Sequence, residues 1–121
     1  MTSNIFSRWL LGSLFILSVL FQTDAQAQCQ QIQAQLVSTS PAAQLNTIRI
    51  CQGETVQFVG SGQFELSSAG ATYLWYFGDG DSTYGNTATH TYPNSGIYII
   101  DLVITDAAGC NNTNRIELAV Q

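Results

Sequence analysis

From Ile48 onward, apolar side chains recur at every second position in short runs. These are Ile48 and Ile50; Val56 and Phe58; Tyr73, Trp75 and Phe77; Tyr92; Tyr98, Ile100, Leu102 and Ile104; and Ile116, Leu118 and Val120. A period of two places each run on one face of an extended chain, and no window after the leader keeps the 3.6-residue period of a helix. Turn-forming clusters separate the runs: Gln52-Gly53-Glu54, Gly78-Asp79-Gly80-Asp81, Pro93-Asn94-Ser95-Gly96 and Asp106-Ala107-Ala108-Gly109. Glycine and asparagine supply positive φ there, and aspartate bonds the backbone of its own turn. The run that opens at Tyr98 is the longest strand expected. About seven strands of this kind cannot hide their apolar faces in one open sheet, so the pattern predicts an all-β sandwich of two antiparallel sheets.

The other apolar run is different in kind. Arg8 precedes an apolar run from Trp9 to Phe21, and a polar segment ending in Ala25-Gln26-Ala27 follows it. Basic, then apolar, then small at the two positions a signal peptidase inspects is the order of an export signal, with cleavage expected after Ala27. A membrane span is the competing reading, but the stretch is well short of the ~20 residues needed to cross a bilayer. A lipid anchor on Cys29 is disfavoured because Gln28, not a small residue, precedes it. Residues 28–47 are Gln-rich and then Ser/Thr/Ala-rich around Pro41, so they read as an edge strand or linker ahead of a domain over 48–121. Residues 28–121 suffice for one small domain with one core.

Loss of Arg8 and Asp24 with the leader leaves the formal charge at −5, and the chain contains no lysine. A groove for phosphate backbones needs the opposite sign, which excludes nucleic acid as an expected partner. Three cysteines remain, Cys29, Cys51 and Cys110, in a compartment where disulfides persist. None forms a Cys-x-x-Cys pair, and the single histidine, His90, is distant from all three in sequence, so zinc is not expected.

Three segments carry a family resemblance: Tyr73-Leu-Trp75-Tyr-Phe77-Gly78-Asp79-Gly80; His90-Thr-Tyr92; and Gly96-Ile-Tyr98-Ile-Ile100-Asp-Leu102-Val-Ile104-Thr-Asp106-Ala-Ala-Gly109. In this order and spacing they resemble the polycystic-kidney-disease (PKD) domain, with its Trp-Asp-Phe-Gly-Asp-Gly, His-Thr-Tyr and Gly-x-Tyr-x-Val-x-Leu elements. Tyr76 departs from the pattern, where the family has Asp or Asn. The resemblance implies an immunoglobulin-like sandwich and a non-catalytic extracellular role. Trp75 and Phe77 then point into the core, and Tyr98, Ile100, Leu102 and Ile104 are expected to face them from the opposite sheet. In such a layout Cys51 and Cys110 fall at turns on opposite ends of the sandwich, roughly 20 Å apart along a strand. A bridge requires Cα atoms within about 7 Å. Three arrangements stay open: a departure from the immunoglobulin order that lets Cys51 meet Cys110, a Cys29–Cys110 pair, or a thiol from a partner chain.

Asp79 and Asp81 flank Gly80 and read as turn caps, with a hard-cation site as the sharper alternative. An EF-hand is ruled out because its glycine and glutamate positions are not met. His90 reads as a satisfied structural histidine, since acid-base work requires a positioned nucleophile or carboxylate. Tyr76 alternates out of the core and Tyr84 lies past the turn, both as cross-strand packing partners or as stacking platforms for sugars. Asn111-Asn112-Thr113 matches a glycosylation acceptor. No nucleophile-base-orienter set, paired catalytic carboxylates or cofactor motif is visible. The expectation is therefore a secreted or cell-surface adhesion or spacer module without cofactor, whose partners are cell-surface proteins or extracellular glycans. The alternatives are a carbohydrate-binding module and the accessory domain of a larger exported protease or polysaccharide hydrolase.

Overall fold

The computed structural model describes residues 28–121; the expected leader and its cleavage point after Ala27 lie outside the described residues. Eight strands follow one another: β1 (Ile32–Ser40), β2 (Thr47–Ile48), β3 (Thr55–Phe64), β4 (Thr72–Tyr76), β5 (Ser82–Tyr84), β6 (Thr87–Thr91), β7 (Tyr98–Thr105) and β8 (Leu118–Val120). They form a three-stranded sheet in the order β1-β3-β6 and a five-stranded sheet in the order β2-β8-β7-β4-β5. This is an immunoglobulin-like sandwich. It differs from two purely antiparallel sheets at one place, since β2 runs parallel to β8. The longest strand is β3, with 10 residues, rather than β7, with 8. No helix among the described residues is long and apolar enough to cross a membrane.

The core is a layer of inward residues from both sheets. Trp75 on β4 lies opposite Leu102 on β7, and Ile100, Leu102 and Ile104 are fully buried beside it. The expectation that the Tyr98 strand faces Trp75 across the sandwich is therefore corrected: β4 and β7 are neighbours in one sheet. Alternation reports which way a side chain points but not which strand lies alongside. The residues that do face Trp75 and Phe77 come from the three-stranded sheet, where Phe58 approaches both rings at centroid distances of 5.5 and 5.8 Å. The indole N–H, which needs a partner once buried, donates to the Gly85 carbonyl at 3.0 Å. Gly60 on β3 makes room for this packing, because a Cβ there would lie 2.6 Å from Leu102 Cδ2 and 2.7 Å from Trp75 Cζ2.

The core also begins earlier than Ile48. β1 is an edge strand of the three-stranded sheet, and its Ile32 and Ala34 are buried in the core cluster. The free side of β1 is not left bare. The Asn114 carboxamide accepts from Ala34 N at 2.7 Å and donates to Ala34 O at 2.8 Å, completing a ladder rung with a side chain. Two residues earlier, Asn112 does the same for β7, accepting from Ile104 N at 2.8 Å and donating to Leu102 O at 3.2 Å. The segment after Cys110 thereby stitches the flank where β7 and β1 leave the sheets apart. Such side-chain capping also blocks another chain from pairing with that edge.

Candidate functional site

β4 delivers Phe77 into the turn Gly78-Asp79-Gly80-Asp81, closed by Phe77 N donating to Asp81 O at 3.1 Å. Gly78 has φ +82, and a Cβ there would sit 2.7 Å from the Ile99 carbonyl oxygen, so both conformation and space demand glycine. Asp79 divides its two oxygens. Oδ1 accepts the Asp81 amide at 3.1 Å within the turn, and Oδ2 meets His90 Nε2 at 2.6 Å from β6 in the other sheet. The His90 ring lies flat on Phe77, with centroids 4.1 Å apart, and is perpendicular to the Tyr92 ring at 4.7 Å. The Tyr92 hydroxyl in turn donates to Phe77 O at 3.1 Å.

This geometry fixes the charges. Partial burial pushes the Asp79 carboxyl upward, but the His90 bond, the Asp81 amide and the charge of His90 outweigh it and hold the carboxyl below its ordinary value. Burial, then the negative Asp79 and then Tyr98, raise the Tyr92 hydroxyl well above the usual phenol range. The structure thus gives His90 the carboxylate partner that the sequence left unassigned. Among the described residues no hydroxyl or thiol is hydrogen-bonded to the ring, and the pair ties the Asp79 turn to β6. Asp79, Asp81 and His90 each offer one ligand atom within 4.8 Å of the others. Asp79 Oδ2 and His90 Nε2 are hydrogen-bonded to each other at 2.6 Å, which clamps the turn of one sheet to β6 of the other.

At the opposite pole, Asp106 after β7 plays the corresponding part. Its Oδ1 accepts the amides of Ala108 and Cys110 at 3.0 and 2.9 Å, and its Oδ2 accepts from Gln30 Nε2 at 3.0 Å. Gln30 uses its whole carboxamide, also donating to Ser67 O and accepting the amides of Leu66 and Ser67. The Gln30 bond first, then the Cys110 amide, lower the Asp106 carboxyl against the opposing effect of burial. Beside it Cys29 and Cys110 form a disulfide with Cα atoms 5.5 Å apart, and Cys51 is free and exposed. A bridge from Cys51 to Cys110, or from Cys110 to a partner chain, is thereby corrected. Cys51 sits at the Glu54 turn beside Tyr92, a full β3 length from the Asp106 turn, whereas β1 starts at the Cys110 pole and carries Cys29 to it.

The outer face of the five-stranded sheet holds the remaining candidates. Register aligns Tyr84, Leu74 and Val103 in one row and Ser82, Tyr76 and Asp101 in the next, with Ile99 beyond them. Tyr76, Tyr84 and Ile99 are 45%, 71% and 52% exposed. Tyr76 and Tyr84 are diagonal cross-strand neighbours, somewhat under roughly 7–8 Å apart at Cβ for such a pair. The charged group of that face, Asp101, is paired with Arg115 at 3.1 Å. Asn111 is exposed and accepts the Thr105 hydroxyl at 2.7 Å. Sequence reasoning missed Gln30, Gly60, Asn112 and Asn114, none of which belongs to a motif that marks its role.

Comparison with known proteins agrees with this layout. The chain is 29% identical to Collagenase ColA from Bacillus cereus over 68 residues, which cover 56% of this chain and 7% of that protein. Residues 38–120 match the PKD domain family. That stretch holds the buried Trp75 strand, the Asp79 turn, His90 and the Tyr98 strand, and by this match the chain belongs to the PKD domain family.

Proposed function

We propose that the chain is a non-catalytic extracellular interaction or spacer module, secreted or displayed at the cell surface, which makes adhesive contacts through the outer face of its five-stranded sheet. The observation that carries this reading is the exposed pair Tyr76 and Tyr84 on one face, beside a charge-balanced Asp101–Arg115 pair. Tyrosine gives a large, rigid surface for stacking on sugars or packing on protein at low entropic cost. The reading is supported by Asp79 and Asp106, whose carboxylates hydrogen-bond turn amides, and by His90, whose ring bonds Asp79. Retention on immobilised polysaccharides and on intact cells tests the reading, comparing the chain with Tyr76→Ala and Tyr84→Ala. Loss of retention in both variants supports it; absence of retention by the parent, or unaltered retention by both variants, sinks it.

A second reading is favoured by the collagenase relative, of which this chain spans only 7%. In it the domain is the accessory part of a larger exported enzyme, positioning a catalytic unit on its substrate. A reading frame that continues past Gln121 into a catalytic domain would establish that arrangement.

A further inference from the structure

The loop between β1 and β2 carries an apolar residue where the backbone does not favour one. Leu45 and Asn46 have φ of +48° and +59°, two consecutive left-handed residues at the tip of a two-residue turn. Reciprocal bonds close the turn, Gln44 N to Thr47 O at 2.8 Å and Thr47 N to Gln44 O at 3.0 Å, and Ala119 N of β8 fixes it by donating to Asn46 O at 3.0 Å. Turns of this shape select Asn, Asp or Gly at both central positions because a Cβ is strained there. Asn46 obeys that rule and Leu45 does not. Leu45 is also 100% exposed, so no packing within the domain compensates for the strain. A residue disfavoured by its backbone and unsupported by its surroundings points to use in contact with something else.

The surroundings indicate what that is. Leu45 borders an open groove of about 640 Å³, lined also by Pro41, Ala42, Gln44, Thr47 and Arg49. Arg49 is exposed and takes part in no ion pair among the described residues, while Arg115 is paired with Asp101. In a chain of net charge −5, this places an uncompensated guanidinium beside an apolar tip. A guanidinium binds carboxylate through a two-pronged fork. We propose that this groove docks an acidic peptide segment of a partner protein, with a carboxylate on Arg49 and a neighbouring apolar side chain against Leu45, Pro41 and Ala42. The groove lies at the β2 edge of the five-stranded sheet, with β8 and β7 between it and the β4 and β5 strands that carry Tyr76 and Tyr84. The inference therefore goes beyond the reading above, and its failure is distinguishable from the failure of that one.

The test uses the exported chain and an array of short synthetic peptides that combine Glu or Asp with Leu or Phe. Peptides with Lys in place of the acid, or Ser in place of the apolar residue, serve as controls, together with heparin as a polyanion that lacks apolar side chains. Acidic-apolar peptides are expected to be retained, more weakly as salt rises. Leu45→Asn and Arg49→Gln should each weaken them about tenfold, the loss of one good contact, while Tyr76→Ala and Tyr84→Ala leave them bound. Leu45→Asn should also leave Tm unchanged or raise it, because asparagine suits the turn. A lowered Tm would show Leu45 to be a structural residue and overturn the proposal. So would an array with no preference for acidic-apolar peptides, or heparin binding that is lost in Arg49→Gln and indifferent to Leu45→Asn. Self-association abolished by Leu45→Asn would assign the groove to a second copy instead.

Discussion

Asp79 and Asp106 open turns at opposite poles of the sandwich and use their carboxylates in the same way. In each, one oxygen holds the turn's own amides, and the other reaches a side chain that leads into or lies on the three-stranded sheet: His90 on β6 for Asp79, and Gln30 ahead of β1 for Asp106. Both turns follow strands of the five-stranded sheet, so each carboxylate ties the two sheets together at one end. The difference lies in how the reaching side chain is itself held. His90 is held by the core, flat on Phe77 and perpendicular to Tyr92. Gln30 makes no such contact and is held by four hydrogen bonds and the adjacent Cys29–Cys110 bridge. One pole is secured by packing, the other by covalent and polar cross-links, because β1 enters from a polar segment that has no large side chain to bury.

The most severe way to break the comparison is to remove the bridge. Cys29→Ser with Cys110→Ser releases a loop of sequence separation 81, and should lower the free energy of unfolding by roughly 2–5 kcal/mol. Urea titration of residues 28–121 reads this directly. A loss no larger than that of Asp79→Asn would show that the two poles are not secured differently. Gln30→Ala comes next, at about 1 kcal/mol, because it removes four hydrogen bonds at once and leaves their partly exposed partners to water. Gln30→Glu sharpens the point, since it keeps the size but turns the donor that faced Asp106 into a second acceptor. It should destabilise more than Gln30→Ala at neutral pH.

The two poles were unequally legible in the sequence. The Asp79 turn and His90 lie inside recognisable segments, and alternation around Trp75 gave the buried face of its strand. The pairing of Asp79 with His90 was not visible, because eleven residues and a change of sheet separate them. At the other pole, Gln30 sits in the run Gln28-Cys29-Gln30-Gln31, where nothing in composition distinguishes one glutamine from the next. The Cys29 pairing was one of three open arrangements, and geometry alone selects it. Alternation also left β4 and β7 on opposite sheets, since period two is blind to neighbours. Leu45 was hidden for a different reason: in a Ser/Thr/Ala-rich stretch that reads as linker, a left-handed backbone at leucine leaves no sequence signature.

At the packed pole the effects should separate ring from bond. His90→Phe retains a ring to lie on Phe77 and loses only the bond to Asp79, so about 1 kcal/mol is expected. His90→Ala loses the stacking as well and should cost more, by about a further 1 kcal/mol for an aromatic pair. Equal losses in the two variants, by urea midpoint, would mean that the Asp79 bond and not the packing secures this pole.

The finest discrimination comes from acid and salt together. Both carboxyls are held below their ordinary value in the folded chain, Asp106 chiefly by Gln30 and the Cys110 amide, and Asp79 by the His90 and Asp81 contacts that together outweigh the raising effect of burial. In the unfolded chain an aspartate titrates near ~3.9. Between that value and its lower folded one the unfolded state binds more protons, so each group adds stability above about pH 4 and loses it as pH falls through the folded value. Asp79→Asn and Asp106→Asn should therefore each flatten the acid limb of a stability profile. Salt should tell them apart. The Asp79 contribution includes the charge of His90 and should shrink as ionic strength rises, whereas Asp106 relies on a neutral carboxamide and amides that salt screens little. An acid limb that responds to salt equally in both variants would show that the poles share one electrostatic origin, and that their different reinforcement has no consequence for how they titrate.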